Sequence, residues 1–85
     1  MASYSVQIKR SAAKELEAVP LKDRRRLVRR IRDLATDPRP PGCEKLAGGE
    51  KYRVRQGDYR VLYTVEDREA SVVIVKVAHR RDVYR

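Results

Sequence analysis

Three arginines in a twelve-residue stretch have the spacing of an anion-binding surface. Residues 52–63 contain two alternating runs that flank Gly57-Asp58, a dipeptide typical of a two-residue hairpin turn. Directly opposed residues in a hairpin share a face of the sheet. A two-residue turn therefore places the tyrosines and valines on one face and the arginines on the other. This arginine face consists of Arg53, Arg55 and Arg60.

The chemistry of the arginine face follows from the properties of guanidinium. In the predicted register Arg55 lies opposite Arg60, and opposed like charges weaken a hairpin. The pair is therefore interpreted as functional rather than stabilising. Guanidinium binds phosphate and carboxylate through two parallel hydrogen bonds. We predict that the face binds an anionic group.

The C-terminal segment contains further groups that RNA cleavage needs. Residues 71–78 are almost continuously apolar and β-branched, which predicts an interior strand, and residues 79–85 follow it. Antiparallel pairing with the second hairpin strand would return the end of this strand to the arginine face. The candidate catalytic residues gathered there are Arg55, Arg60, His79, Arg80 and Tyr84, and the candidate RNA contacts are Arg53, Arg55 and Arg81.

Such a set suits RNA cleavage without a metal ion. The ribose 2′-OH attacks the adjacent phosphate and yields a 2′,3′-cyclic phosphate and a 5′-OH, while preorganised donors stabilise the developing charge. Arginine keeps its proton at accessible pH, so proton transfer needs other groups. Histidine is the side chain whose reference pKa lies nearest neutrality, which makes His79 a candidate, and we expect flanking cations such as Arg80 to favour the phenolate of Tyr84. The sequence does not assign the acid and base roles.

The composition narrows the classes of function. The formal net charge is +9 and the pI is about 10.2, which indicates a nucleic acid or an acidic protein partner. A single cysteine, a single histidine and scattered acidic residues do not form a metal site, so neither a metal nor another cofactor is expected. The chain lacks both a run of about 18 apolar residues and an apolar signal segment. We expect a cytoplasmic protein without a membrane partner.

The hydrophobic pattern predicts one α+β domain over residues 1–85. The predicted order is β-α-α-β-β-β, with two helices from the N-terminal half packed on a mostly antiparallel four-stranded sheet. Ser11 is the expected N-cap of the first helix, and Pro20 ends it. The last strand is expected to be covered on both faces. The predicted elements are a strand at 4–9, helices at about 12–19 and 21–35, a loop at 38–49, hairpin strands at 52–56 and 59–65, and a strand at 71–78.

Over essentially its whole length the chain resembles the RelE branch of the RelE/ParE toxin superfamily. The resemblance rests on the element order, on Leu46-Ala-Gly-Gly, on Gly-Asp-Tyr-Arg-Val-Leu-Tyr at 57–63 and on His-Arg-Arg-Asp-Val-Tyr at 79–84. It implies a RelE-like toxin of a type II toxin–antitoxin system that cleaves mRNA in the ribosomal A site without a metal ion. It also implies a cognate antitoxin, with the ribosome and mRNA as the other partners. The family's functional positions fall on Arg53, Arg55, Arg60, Arg80 and Tyr84.

One departure from the family bears on proton transfer. Well-studied relatives have lysine at the positions of Arg53 and Arg55, and one of those lysines is proposed to transfer a proton. Arginine is a poor substitute in that role, so the departure draws attention to His79.

Alternative interpretations remain open. One is a ParE-like inhibitor of DNA gyrase that acts by binding, and another is a nucleic-acid-binding module without toxicity. The second helix also has two interpretations, because its arginines form either a solvated face or a surface that docks on ribosomal RNA or an acidic protein segment. These arginines are Arg24, Arg25, Arg26, Arg29, Arg30 and Arg32.

Overall fold

The computed structural model of the chain describes residues 3–82, which form two helices and a five-stranded mixed sheet. Strand order in the sheet is β1-β5-β4-β3-β2. The pairing of β1 with β5 is parallel, and the other three pairings are antiparallel. The elements are β1 (Ser5–Ile8), α1 (Arg10–Glu17), α2 (Leu21–Asp33), β2 (Glu44–Lys45), β3 (Lys51–Gln56), β4 (Tyr59–Glu66), β5 (Ser71–His79) and a 3₁₀ turn (Arg80–Asp82). The α+β class and the mostly antiparallel sheet are therefore confirmed.

One hydrophobic core lies between the helices and one face of the sheet. Apolar positions of α1 and α2 recur at helical spacing, so each helix buries one stripe against the strands. The helices and the residues directly after them contribute Ala12, Leu16, Val19, Leu27, Ile31 and Leu34, and the sheet contributes Tyr52, Val54, Val61, Tyr63, Val65, Val72, Ile74 and Val77. No helix within residues 3–82 is long and apolar enough to cross a bilayer.

The predicted hairpin has the predicted register. Gly57 and Asp58 form the turn between β3 and β4, and Gly57 has a φ of +61°, a conformation that glycine adopts without steric cost. Arg55 lies opposite Arg60, and Tyr52 lies opposite Tyr63. Strand alternation therefore separates the buried tyrosines and valines from the arginine face, as predicted.

The prediction of four strands was wrong, because the loop at 38–49 contains the short strand β2. Glu44 pairs with Arg53, and Lys45 pairs with Tyr52, at the outer edge of β3. The N–H of Leu46 donates to the carbonyl of Lys51 at 2.8 Å and closes the connection. Two residues are too few to show an alternating pattern, so this strand is set by tertiary pairing rather than by sequence period.

Two smaller predictions were also wrong. The first helix begins at Arg10 with Lys9 at the N-cap, and no side chain caps it, so Ser11 lies inside the helix. Strand β5 is interior, but Val73 and Val75 are only half-buried, while Val72 is fully buried. The helices cover one face of the sheet only, which explains why the second face of β5 is not buried.

The Tyr63 side chain links the loop at 38–49 to the hydrophobic core through a hydrogen bond. Its side chain is fully buried, and its hydroxyl donates to the carbonyl of Pro38 at 2.7 Å. Burial, with Cys43 nearby, raises the pKa of this phenol. The hydroxyl therefore stays protonated and serves as a donor inside the core.

We predict that Tyr63→Phe lowers the free energy of unfolding by about 1–3 kcal/mol, because the Pro38 carbonyl loses its partner inside the protein. Urea denaturation followed by circular dichroism measures the change. Tyr59→Phe is the matched control, because within residues 3–82 no hydrogen bond to the Tyr59 hydroxyl is found. Equal stability of the two variants would contradict the assigned role of the Tyr63 hydroxyl.

Candidate functional site

The three hairpin arginines share a face but differ in environment. Arg60 is 6% exposed and lies between Arg55 on β3 and Ala78 on β5. The side chain of Arg55 is 56% exposed, and that of Arg53 is 19% exposed. The face therefore has one buried, one partly buried and one open arginine, rather than three equally accessible ones.

Glu44 is a member of this face that the sequence analysis did not identify. It lies directly opposite Arg53, so the two side chains share a face. Its Oε2 accepts a hydrogen bond from Arg53 Nη2, and its Oε1 lies 3.9 Å from Arg55 Nη2. Arg53, and then the charges of Arg55 and Arg60, hold the pKa of Glu44 below its usual range. Because Glu44 belongs to the unpredicted strand β2, no sequence pattern indicated its position.

Arg80 lies beside the hairpin turn, at the end of the sheet where Arg55 and Arg60 are, because β5 runs antiparallel to β4 as predicted. Its backbone N–H donates to the carbonyl of Asp58 at 2.7 Å, which holds the end of β5 beside the hairpin turn. Its Nε lies 3.8 Å from Asp58 Oδ1, and both side chains are about two-thirds exposed. An exposed ion pair of this kind contributes little energy. The guanidinium of Arg80 is therefore available to an anionic ligand.

His79 is not brought onto the arginine face. It pairs with Tyr59 across the sheet, and the two rings pack edge to face with centroids 5.2 Å apart. The His79 Nδ1 accepts the backbone N–H of Arg81 at 3.2 Å. Tyr59 packs against the hydrophobic core, so His79 lies on the helix side of the sheet, beside an open cavity of about 310 Å³.

A β-bulge explains the position of His79. Leu62 pairs with Lys76 but Tyr63 pairs with Ile74, so Val75 is an extra residue in β5. Each residue inserted into a strand reverses the faces of the residues that follow. His79 therefore changes sides, and regular alternation along β5 could not have predicted this.

Two predicted site residues have less structural definition. Arg81 is exposed in the 3₁₀ turn, and its side chain makes no ion pair within residues 3–82. Tyr84 lies outside the described residues. Its predicted role therefore stays a prediction.

Comparison with known proteins places the chain in a family. Residues 6–84 match the family model described as ParE toxin of type II toxin–antitoxin system, parDE. The chain is 34% identical to Toxin RelG of Mycobacterium tuberculosis, covering 96% of this chain and 97% of the relative. The chain belongs to the ParE toxin family. It is thus a toxin of the RelE/ParE superfamily, and its RelE-like character agrees with the resemblance drawn from its sequence.

Solved structures of similar proteins support the same family assignment. The archaeal RelE–RelB complex from Pyrococcus horikoshii OT3 matches with a TM-score of 0.84 and 31% identity, over 95% of this chain and 99% of that chain. The toxin–antitoxin complex RelBE2 from Mycobacterium tuberculosis matches with a TM-score of 0.82 and 29% identity, over 96% and 97% of the two chains. The RelE-like fold of the toxin is therefore confirmed.

Residues 3–82 of the toxin contain no group of three or more His, Cys, Asp or Glu side chains that could hold a metal ion.

The six arginines of α2 make no ion pair within residues 3–82. Four of them, together with Leu21, Val28 and Asp33, line a groove along α2. The geometry is compatible with either a solvated face or a docking surface, so both interpretations of α2 remain open.

We predict that an NMR titration of the Glu44 carboxyl gives a midpoint below the reference value of about 4.3, and that Arg53→Ala raises it. Because the folded-state pKa is lowered, the stabilisation from this pair is present above the unfolded-state pKa and is lost as the pH falls through the folded-state pKa. Arg68→Ala, in the turn between β4 and β5, is the control. An unchanged midpoint in Arg53→Ala would exclude Arg53 as the main cause.

Proposed function

We propose that the toxin is a ribosome-dependent endoribonuclease that cleaves mRNA in the A site and thereby inhibits translation. The observation that carries this proposal is the convergence of Arg55, Arg60 and Arg80 at one end of the sheet. Arg55 is near the end of β3, Arg60 is near the start of β4, and Arg80 follows β5. Strand pairing and the bond from Arg80 to Asp58 hold them together.

The proposed reaction assigns charge stabilisation to these arginines and needs no metal ion. The 2′-oxygen forms a bond to phosphorus and loses its proton to a base. The bond from phosphorus to O5′ then breaks, and O5′ takes a proton from an acid. The products are a 2′,3′-cyclic phosphate and a 5′-OH. Each preorganised donor aimed at the pentacovalent phosphate contributes roughly 10²–10³ in rate.

Proton transfer requires groups other than arginine, which stays protonated at accessible pH. The two sequence candidates are Tyr84 and His79. His79 faces the helix side of the sheet, where it contacts Tyr59. The proposal therefore assigns proton transfer to Tyr84 first and retains His79 as the second candidate.

We further propose that the toxin has a cognate antitoxin and acts in the cytoplasm, where ribosomes and mRNA are found. The similar RelE chains from Pyrococcus horikoshii and Mycobacterium tuberculosis were solved in complex with RelB-type antitoxins. Both match this chain over at least 95% of its length. The +9 charge favours both an acidic antitoxin segment and ribosomal RNA.

We predict that Arg80→Ala and Arg55→Ala each lower cleavage of ribosome-bound mRNA at least about 100-fold and abolish growth inhibition on induction. Both side chains are more than half exposed, so the fold should survive, which circular dichroism checks. Arg60→Ala is a less direct test because Arg60 is buried. Arg68→Ala, an exposed turn residue, removes the same charge and should stay toxic. Full toxicity of the first two variants would overturn the site assignment.

A second candidate function is inhibition of DNA gyrase by binding. The observation that favours it is the family model, which is the ParE toxin model and matches residues 6–84. Inhibition by binding does not require the constellation of Arg80 and Tyr84. Only the endoribonuclease candidate yields cleaved RNA, so the two candidates can be separated by measuring new RNA ends.

We predict that induction of the toxin produces mRNA fragments with 5′-OH ends inside translated reading frames, because the proposed attack by the 2′-OH releases that group. Sequencing of 5′-OH ends, with ribosomes stalled at mapped positions, measures this outcome. A gyrase supercoiling assay with the purified toxin is the parallel measurement. Inhibited supercoiling without new mRNA ends would replace the endoribonuclease proposal with the gyrase one.

A further inference from the structure

Glu44 places a negative charge within the proposed phosphate-binding face. Its carboxylate is hydrogen-bonded to Arg53 through one oxygen and lies within ion-pair distance of Arg55 through the other. A phosphate bound by the same two guanidiniums would use the same donors. Glu44 therefore occupies hydrogen-bonding capacity that an RNA phosphate needs.

The location of the pair makes this competition effective. The Arg53 side chain is 19% exposed and the Glu44 side chain is 51% exposed, so solvent screens the pair from the carboxylate side only in part, while the guanidinium is largely shielded. A glutamate carboxyl is already ionised at neutral pH, and Arg53, then Arg55 and Arg60, lower its pKa further by stabilising the charged form. One of the three positive charges on the face is thus neutralised within the protein itself.

A proton-transfer role for Glu44 fits its electrostatic environment less well. An efficient general base has a pKa near the working pH, whereas the neighbouring arginines lower the pKa of Glu44 below its usual range. A carboxylate in this setting is a weak base. Its stronger effect is on the charge and availability of the two guanidiniums.

We propose that Glu44 is a selectivity residue: its carboxylate competes with RNA phosphate for Arg53 and Arg55 and thereby suppresses binding of free RNA. This inference rests on the proposed action on RNA. An RNA strand held next to the site by a ribosome has a high effective concentration, which offsets the competition. Free RNA lacks that advantage and is disfavoured.

The test compares Glu44→Gln with Glu17→Gln on the purified toxin. Both substitutions remove one negative charge and preserve side-chain size, and Glu17 is an exposed residue of α1. The probe is a short fluorescent single-stranded RNA, and anisotropy gives its affinity at several salt concentrations. We expect Glu44→Gln to bind about tenfold more tightly than the wild type, as for the loss of one nearby like charge, with about one more counterion released. Glu17→Gln should stay within about twofold of the wild type.

Three other results of this binding experiment would contradict the inference about Glu44. Weaker binding by Glu44→Gln would overturn the inference and make Glu44 a positioning residue for Arg53 and Arg55. Unchanged RNA binding with slower cleavage of ribosome-bound mRNA would also overturn it, in favour of proton transfer. An equal gain in RNA affinity for Glu17→Gln would also overturn the inference, because the change in net charge alone would then explain the tighter binding.

A further variant separates the inference from the proposed function. Arg55→Ala, measured with the same RNA, should bind more weakly. If Arg55→Ala binds as well as the wild type, the arginine face does not bind RNA, and the proposed function fails whatever Glu44→Gln does. If Arg55→Ala binds more weakly but Glu44→Gln binds no more tightly, only the inference about Glu44 fails. Thermal unfolding of each variant checks that the fold is retained.

Discussion

The site depends on the antiparallel pairing of β4 with strands on both of its sides. β4 holds β3 along one edge and β5 along the other, so the start of β4 is the point where the hairpin and the C-terminal segment meet. Alternation along β4 buries Val61 and Tyr63 and directs Arg60 to the opposite face. The same hydrogen bonds therefore build the core and position the arginines.

Arginine has different roles at the two ends of this sheet, and its neighbours decide which. At the end distant from the hairpin turn, Arg39 donates to Asp67 through two nitrogens and to the Tyr52 hydroxyl through Nε. Its guanidinium also lies 5.1 Å from the centre of the Tyr52 ring, so Arg39 joins the loop to the sheet. At the turn end, the Arg80 side chain makes a single long, exposed ion pair with the other residues of 3–82. The surplus of positive charge is therefore available where the proposed RNA site lies.

Regular periodicity accounts for the parts of this protein that the sequence determined by itself. The helix over 21–35, the hairpin register and the arginine face were predicted to within a few residues because buried and exposed positions repeat at 3.6 or 2 residues. The turn residues Gly57 and Asp58 set the register, and the register alone placed Arg55 opposite Arg60. The return of Arg80 to the turn followed from the same antiparallel pairing.

Only the tertiary structure decided which additional groups face the arginines. β2 is too short for a periodic pattern, so Glu44 was found only through its pairing with Arg53. The extra residue Val75 in β5 reverses the faces after it and moves His79 to the helix side. The burial of Arg60 likewise depends on strands distant in sequence. The sequence by itself determined the two helices, the hairpin and the shared face of the arginines, whereas long-range strand pairing decided the acidic partner of that face and the position of the histidine.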